Sequence, residues 1–322
     1  MTAYTRRELL AASAGLLLRD GPVLAAAKPM RGIFIIMATP YTAANEVDYE
    51  DLAAEVNFLD RCGVQGMVWP QLASEYSYLS KPERMRGMEV LARAARGKKA
   101  ALVLGVQGPD IETALEYARH AVSLQPDALI AMPPGKAGSL EDFRAYYRAL
   151  ARLTNLPFFV QTTGGAKGIV PSVEFLVELA REFPNFGYIK EEYEPVLARM
   201  QALAAQKPPI HSVFSGAAGK FLLYEMRLGF DGTMPGAPWA DVYAQIWELY
   251  QSDRREQARD LFAKLLLAIN LDQEIPFSRS YFLKKRGIFK TSISRRGKAE
   301  FTPQAVAEMD FHYEALKPYL RA

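Results

Sequence analysis

From residue 32 onward the chain alternates short apolar, β-rich runs with amphipathic helical patterns, and it does so eight times. Parallel strands cannot be joined by tight turns; they need a long crossover, usually a helix, so this alternation points to a parallel sheet covered by helices. The runs are residues 32–38, 66–69, 101–106, 128–132, 157–161, 186–190, 210–215 and 232–235. Helical patterns fill 47–62, 81–96, 111–124, 140–153, 220–228 and 239–250, and Pro171 is expected to open the helix after the fifth run. In 47–62, Leu52, Val56 and Leu59 share one side, the spacing of a helix with one buried face. Eight units in series predict an α/β fold of the (β/α)8, or TIM, barrel type. A doubly wound open sheet is the alternative, but no glycine-rich dinucleotide fingerprint follows the first run. Segments 254–271, 277–286 and 302–320 read as a C-terminal helical extension on the barrel flank. The expected division is a barrel over 28–252 and packed helices over 253–322, with no Gly- or Ser-rich linker between them.

Residues 1–27 do not belong to this pattern. Arg6-Arg7 precede a mostly apolar run from Leu9 to Leu18, and small residues end at Ala27. A charged start, a short apolar stretch and small residues predict an export signal, and the paired arginines resemble the twin-arginine type. Ala11 and Arg19-Asp20 depart from that type. The expected location is periplasmic or secreted, with a cytoplasmic protein as the alternative. No later segment approaches about 20 uninterrupted apolar residues, so no membrane-spanning helix is expected once the signal is removed.

Half of the 322 residues are hydrophobic, enough for one large core. Formal net charge is only +3 and the basic residues are scattered, which argues against a nucleic-acid partner. The lone Cys62 excludes an internal disulfide or a cysteine metal cluster and reads as buried packing. His120, His211 and His312 are far apart and fit no metal-ligand motif. No metal and no other cofactor is expected.

Chemistry in such barrels sits at the C-terminal strand ends. Those ends carry Thr39, Ser74-Glu75, Pro133-Pro134, Gln161-Thr162-Thr163, Lys190 with Glu192, Ser215-Gly216 and Pro235-Gly236. Side chains alternate along a strand, so Tyr188, Lys190 and Glu192 share a face. A lysine and a carboxylate aimed into one enclosed space, ringed by small polar residues, suit a small polar acid. Tyr188 is expected to pack near the barrel floor.

Ala38-Thr39-Pro40-Tyr41, Glu75 with Leu79-Ser80, Ile189-Lys190-Glu191 and Ser215-Gly216 resemble the family of dihydrodipicolinate synthase and N-acetylneuraminate lyase, from about Gly32 to the C-terminus. The resemblance implies a Schiff base between Lys190 and a 2-oxo acid, and a homo-oligomer, dimer or tetramer. The synthases carry a proton-relaying tyrosine at the end of strand five; Phe158-Phe159-Val160-Gln161 is expected to place Val160 there. The second-strand loop is Gln71-Leu72-Ala73-Ser74-Glu75 instead of Gly-x-x-Gly-Glu, and Pro134-Gly135 replaces a tyrosine pair. With Ala131-Met132-Pro133-Pro134 and Lys190-Glu191-Glu192, these features are similar to the L-2-keto-3-deoxyarabonate dehydratase branch, which also lacks that tyrosine and has a glutamate two residues after the lysine.

A neutral amine attacks a ketone, and the resulting iminium acidifies the adjacent C3–H. Glu192 is the expected base for that proton, and loss of the C4 hydroxyl then completes a dehydration of a 2-keto-3-deoxy sugar acid. Thr39, Ala73 and Ser74 are the expected carboxylate-binding residues, and Gln161, Thr162, Ser215 and Gly216 the other substrate contacts. Strand-end or loop packing is the alternative for Thr39, Ser74, Ser215 and Gly216, and strand register is the open question for Gln161. Glu75 is expected to be structural, bonding nearby backbone N–H groups. Two other functions compete: an aldolase giving pyruvate and an aldehyde, with Thr162 or Thr163 relaying a proton, and an exported sugar-acid binding protein without turnover.

Overall fold

The computed structural model describes residues 28–322. Its eight strands are β1 (Gly32–Ile36), β2 (Gly66–Trp69), β3 (Ala101–Gly105), β4 (Ala128–Ala131), β5 (Phe158–Gln161), β6 (Tyr188–Glu191), β7 (Ser212–Ser215) and β8 (Gly232–Thr233). They pair in parallel and in order, and β8 closes on β1. One helix follows each strand: α1 (Tyr49–Cys62), α2 (Lys81–Ala94), α3 (Ile111–Ser123), α4 (Leu140–Ala151), α5 (Val173–Glu182), α6 (Val196–Ala204), α7 (Leu222–Arg227) and α8 (Ala240–Gln251). The predicted barrel is therefore present. Several element starts differ by one or two residues, two of them with a local cause. Pro171 stands one residue before Ser172, whose side chain caps α5, and Pro184–Phe186 form a 3-10 turn, so β6 begins at Tyr188. The expected export signal lies outside the described residues. Among them, no helix is long and apolar enough to cross a membrane.

The helices start where side chains can cap exposed N–H groups. Asp48, Ser80, Asp110, Ser139 and Ser172 each accept a backbone hydrogen bond at the start of α1 to α5. Gly63, left-handed at φ 81°, ends α1.

The strands are buried almost throughout because both of their faces are covered. Ile33, Ile35, Met67, Trp69, Leu102 and Leu104 face the helices, and Cys62 packs in that outer layer, where burial pushes its thiol up to about 12. Phe34, Ile36, Val68, Val103, Ile130, Phe159 and Phe214 fill the barrel interior. The rings of Phe34, Phe159 and Phe214 meet at centroid distances of 5.0, 5.3 and 6.0 Å. This plug dictates glycine beside it: a Cβ at Gly66 would lie 2.3 Å from the Phe34 ring. Tyr188 packs on Phe159 in the same layer, as expected.

The C-terminal extension comprises α9 (Arg255–Glu274), α10 (Ser278–Lys285) and α11 (Pro303–Leu316). Helix α9 lies along α8, the last helix of the barrel, and along α11. A buried ion pair, Asp241 Oδ2 to Arg286 Nη2 at 2.7 Å, ties α8 to the end of α10. The stretch between α10 and α11 departs from the flank expectation and crosses the C-terminal ends of β1 and β2. Lys290 Nζ contacts Asp48 and Glu50 at 3.0 and 2.9 Å, and Thr291 Oγ1 donates to the Tyr41 carbonyl at 2.6 Å. Arg295 pairs with Glu83 at 2.7 Å and holds that carboxyl down to about 2. Glu75 accepts from Ser294 Oγ at 2.6 Å and from the Arg295 backbone N–H at 2.9 Å. It is structural, as expected, but its partners are about 220 residues away in sequence, not nearby.

Behind β7, Glu225 of α7 is buried against Ser215, with Ser215 Oγ 2.5 Å from its Oε2 and 2.9 Å from Thr233 Oγ1. Desolvation raises the Glu225 carboxyl from its ordinary 4.5 to about 7, opposed by the serine hydrogen bond. Below pH 4.5 both folded and unfolded chains hold the proton. Between pH 4.5 and 7 the unfolded chain releases it while the folded chain retains it, so stability falls with rising pH by about 3 kcal/mol. A neutral amide keeps the acceptor for Ser215 and has no such dependence. The Tm of Glu225→Gln relative to wild type is therefore expected to rise by several degrees between pH 4 and pH 8 in thermal melts; a flat difference would contradict the assignment.

Candidate active site

Strand β6 aims Lys190 into the barrel, where it is 4 % exposed. A buried ammonium or amine requires polar partners, and two meet it. Lys190 Nζ donates to Gln161 Oε1 at 3.1 Å and lies 3.3 Å from Glu192 Oε1. Thr163 closes the circuit: its hydroxyl donates to Glu192 Oε2 at 2.9 Å and accepts from Gln161 Nε2 at 3.4 Å. Four side chains from the ends of β5 and β6 thus form one ring. Gly216, after β7, makes room for it, since a Cβ there would lie 1.7 Å from Glu192 Oε1.

The register of β5 corrects the sequence reading. Gln161 pairs with Lys190 and Val160 with Ile189. Val160 and Ile189 face the outer helical layer. The strand-five residue that meets the lysine is therefore Gln161, not Val160, and an amide stands where a tyrosine was expected to be missing.

Several expected substrate contacts are committed to the protein itself. Ser74 is fully buried; its hydroxyl donates to the Met37 carbonyl at 2.5 Å and accepts from the Gln71 N–H at 3.0 Å. Thr39 donates to the Ser74 carbonyl at 2.5 Å and accepts from Trp69 Nε1 at 3.0 Å. These bonds tie the end of β1 to the β2 loop. Thr162 turns away from Lys190, donating to Glu191 Oε1 at 2.6 Å and accepting from the Glu192 N–H at 3.0 Å. Ser215 points outward to Glu225. The reason is common to Thr162 and Ser215: each follows or precedes an inward residue by one position, so the strand pleat turns it out. Glu191, likewise outward, pairs with Arg199 at 3.0 Å.

Lys190 and Glu192 open onto a cavity of about 560 Å3 that Gln71, Ala73 and Met234 also line. Gln71 is 1 % exposed; its Nε2 donates to Gln107 Oε1 at 3.0 Å and its Oε1 has no partner among the described residues. A buried acceptor without a donor is a place for a ligand hydroxyl. From the C-terminal extension, Arg279 and Arg296 reach the same cavity. Gln71 and the two arginines were not singled out from sequence. Gln71 sits in the second-strand loop and could have been found by its place; nothing in the local pattern of 279 or 296 marks either.

Comparisons with known proteins agree with this architecture. Residues 29–297 match the model of the dihydrodipicolinate synthetase family. The 4-hydroxy-tetrahydrodipicolinate synthase of Chlorobium chlorochromatii is 24 % identical over 81 % of this chain and 89 % of its own. A mitochondrial protein of Coccidioides immitis, named for 4-hydroxy-2-oxoglutarate aldolase, is 26 % identical over 74 % of this chain and 78 % of its own. Dihydrodipicolinate synthase from Rhodopseudomonas palustris superposes with a TM-score of 0.78 at 23 % identity, covering 88 % of this chain and 97 % of that one. The family match spans most of the barrel, the lysine strand and the segment that crosses its mouth, and so the chain belongs to the dihydrodipicolinate synthetase family, a family of Schiff-base lyases.

Proposed function

We propose that this protein is a Schiff-base lyase that dehydrates a 2-keto-3-deoxy sugar acid. The observation that carries the reading is the company Lys190 keeps: a carboxylate, Glu192, at 3.3 Å, and an amide, Gln161, at 3.1 Å. An amide cannot relay protons, so among the described residues Glu192 is the acid–base group in contact with the amine.

The steps follow from that pair. The Lys190 amine adds to the C2 ketone and expels water, leaving an iminium, while Gln161 Oε1 accepts its N–H. Glu192 takes the proton from C3 and the electron pair flows into the enamine. Collapse of the enamine breaks the C4–O bond, and Glu192 returns the proton to the departing hydroxyl, which leaves as water. A second water hydrolyses the conjugated iminium, freeing the unsaturated 2-oxo acid and the amine. The net change is loss of one water. The unpartnered Gln71 Oε1 supports a substrate bearing hydroxyls, and Ala73, which lines the cavity, is the proposed neighbour of its C1 carboxylate. Aldol cleavage is the second reading, favoured by the Thr163 hydroxyl, which donates to Glu192 and offers a path for the C4-hydroxyl proton. Assembly as a dimer or tetramer, and export directed by residues 1–27, belong to the same proposal. Edman sequencing of the protein from periplasmic fractions is expected to start near residue 28; a cytosolic protein retaining Arg6-Arg7 would exclude export.

Borohydride added with a 2-oxo acid should fix mass on the peptide containing Lys190, and Lys190→Ala should fix none. Glu192→Gln should still be trapped but lose turnover of 2-keto-3-deoxy acids by about 10²–10⁴-fold. Pyruvate plus an aldehyde among the products would favour cleavage over dehydration, and unaltered turnover in Glu192→Gln would remove the base from Glu192.

Gly216→Ala tests geometry without altering a charge. Its backbone, φ −110° and ψ −120°, lies outside the regions open to a residue with a Cβ, and the new methyl must also displace Glu192. Trapping at Lys190 should persist while turnover falls about as far as in Glu192→Gln. Wild-type turnover in Gly216→Ala would show that the position of Glu192 is immaterial.

A further inference from the structure

The cavity over Lys190 continues into a second lobe of about 330 Å3 beneath the C-terminal extension. The second lobe has mixed walls, with Pro238, Phe277, Leu283 and Phe289 on the apolar side and Asp272, Ser280 and Ser294 among the polar residues. The two lobes share Ile36, Ala73, Glu75, Gly236, Arg279 and Arg296, so two guanidinium groups stand at their junction.

The charges around these arginines are otherwise occupied. Glu75 accepts from Ser294 and the Arg295 N–H, and Glu192 is held by Lys190 and Thr163. Asp272 binds Ser278 Oγ and Arg279 Nε. Arg279 is thereby fixed by one edge, and its Nη1 lies 3.6 Å from where a Cβ of Gly236 would be, so the forked end looks toward the strand-eight loop. Arg296 makes no side-chain hydrogen bond or ion pair among the described residues. Its backbone is nevertheless fixed, because its N–H donates to Ser294 Oγ at 3.1 Å and the adjacent Arg295 is clamped to Glu83. A rigid turn thus presents one committed arginine outward and one uncommitted arginine to the cavity.

Arg296 offers an uncommitted planar fork and Arg279 the edge that Asp272 leaves open, both lining the same two lobes, and such forks are complementary to a carboxylate, which they grip with paired N–H groups. We infer that the substrate is a 2-oxo acid with a second carboxylate at the end remote from the ketone, held by Arg279 and Arg296 where the two lobes meet. The inference rests on the Schiff-base reading for the other end of the substrate, and it makes the C-terminal extension a specificity element of the barrel site.

Calorimetric titration with 2-oxoglutarate and with 2-oxovalerate, two five-carbon 2-oxo acids that differ in a terminal carboxylate, tests it. Wild type is expected to prefer the diacid by about tenfold, the order of one charge-assisted contact of about 1.4 kcal/mol. Arg296→Gln should erase most of that preference, and Arg296→Lys should restore part of it. Raised salt should narrow the preference in wild type. Borohydride trapping of Lys190 with pyruvate is run on the same samples. Trapping without any diacid preference, or a preference unaltered in Arg296→Gln, overturns the anion site alone. A preference that Arg296→Gln abolishes, without trapping at Lys190, overturns the Schiff-base reading and leaves the anion site standing.

Discussion

A lysine amine buried inside a closed barrel is the constraint from which the rest of the site follows. Placing it there costs several kcal/mol unless its polar end is satisfied, and strand geometry limits which residues can satisfy it. The lateral neighbour on β5 is Gln161, and the next inward position beyond the strand is Glu192. Thr163 then joins their free ends. Each partner is tied to another, so the lysine is held at one place by side chains with little rotational freedom. Gly216 follows from the same packing: a ring of this size leaves no space for a methyl on the adjacent strand end.

The outward faces of the same strand ends carry a second polar layer with a different job. Thr162, Glu191 and Arg199 brace the end of β6 from behind. Thr39, Trp69 and Ser74 lock β1 to the β2 loop, and Ser215, Thr233 and Glu225 do so for β7 and β8. Adjacent residues therefore divide the labour, one touching the cavity and the next holding the strand that presents it. Such supporting contacts are what give a reactive group a fixed position at the end of a barrel strand.

That division explains what the sequence revealed. The barrel was legible because eight apolar runs alternate with helical patterns, and Lys190 and Glu192 because they share one strand face that the barrel order and the family resemblance put at the barrel mouth. The phase of β5 was not legible. Phe158-Phe159-Val160-Gln161 is apolar on both faces until its last residue, so no alternation fixes which residue points inward. The reading was off by one, and Gln161 rather than Val160 meets the lysine. Ser74, Thr162 and Ser215 looked like ligands for the same reason: a hydroxyl at a strand end looks alike from either face. Arg279 and Arg296 were beyond reach because they arrive from more than 80 residues after the lysine, through a tail whose helical periods say nothing about crossing the mouth.

Backbone strain collects at the cavity rim in a way that fits this layered support. Ala217 and Ala218, which line the Lys190 cavity, are both left-handed, at φ 46° and 56°. A Cβ makes that conformation unfavourable by roughly 1–2 kcal/mol per residue, and it persists only where the surroundings leave no other choice. Here the surroundings do so from three sides. The Gly219 N–H donates to the Gly216 carbonyl at 2.9 Å, Tyr243 Oη donates to the Ala218 carbonyl at 2.5 Å, and the Ser215–Glu225 contact anchors the preceding strand end. The strained turn begins at the residue that makes room for Glu192. A relaxed turn would move Gly216, and with it the wall against which that carboxylate rests. The buried acid behind β7 and the tyrosine of α8 thus act on the lysine ring without touching it, through the shape of four residues of backbone.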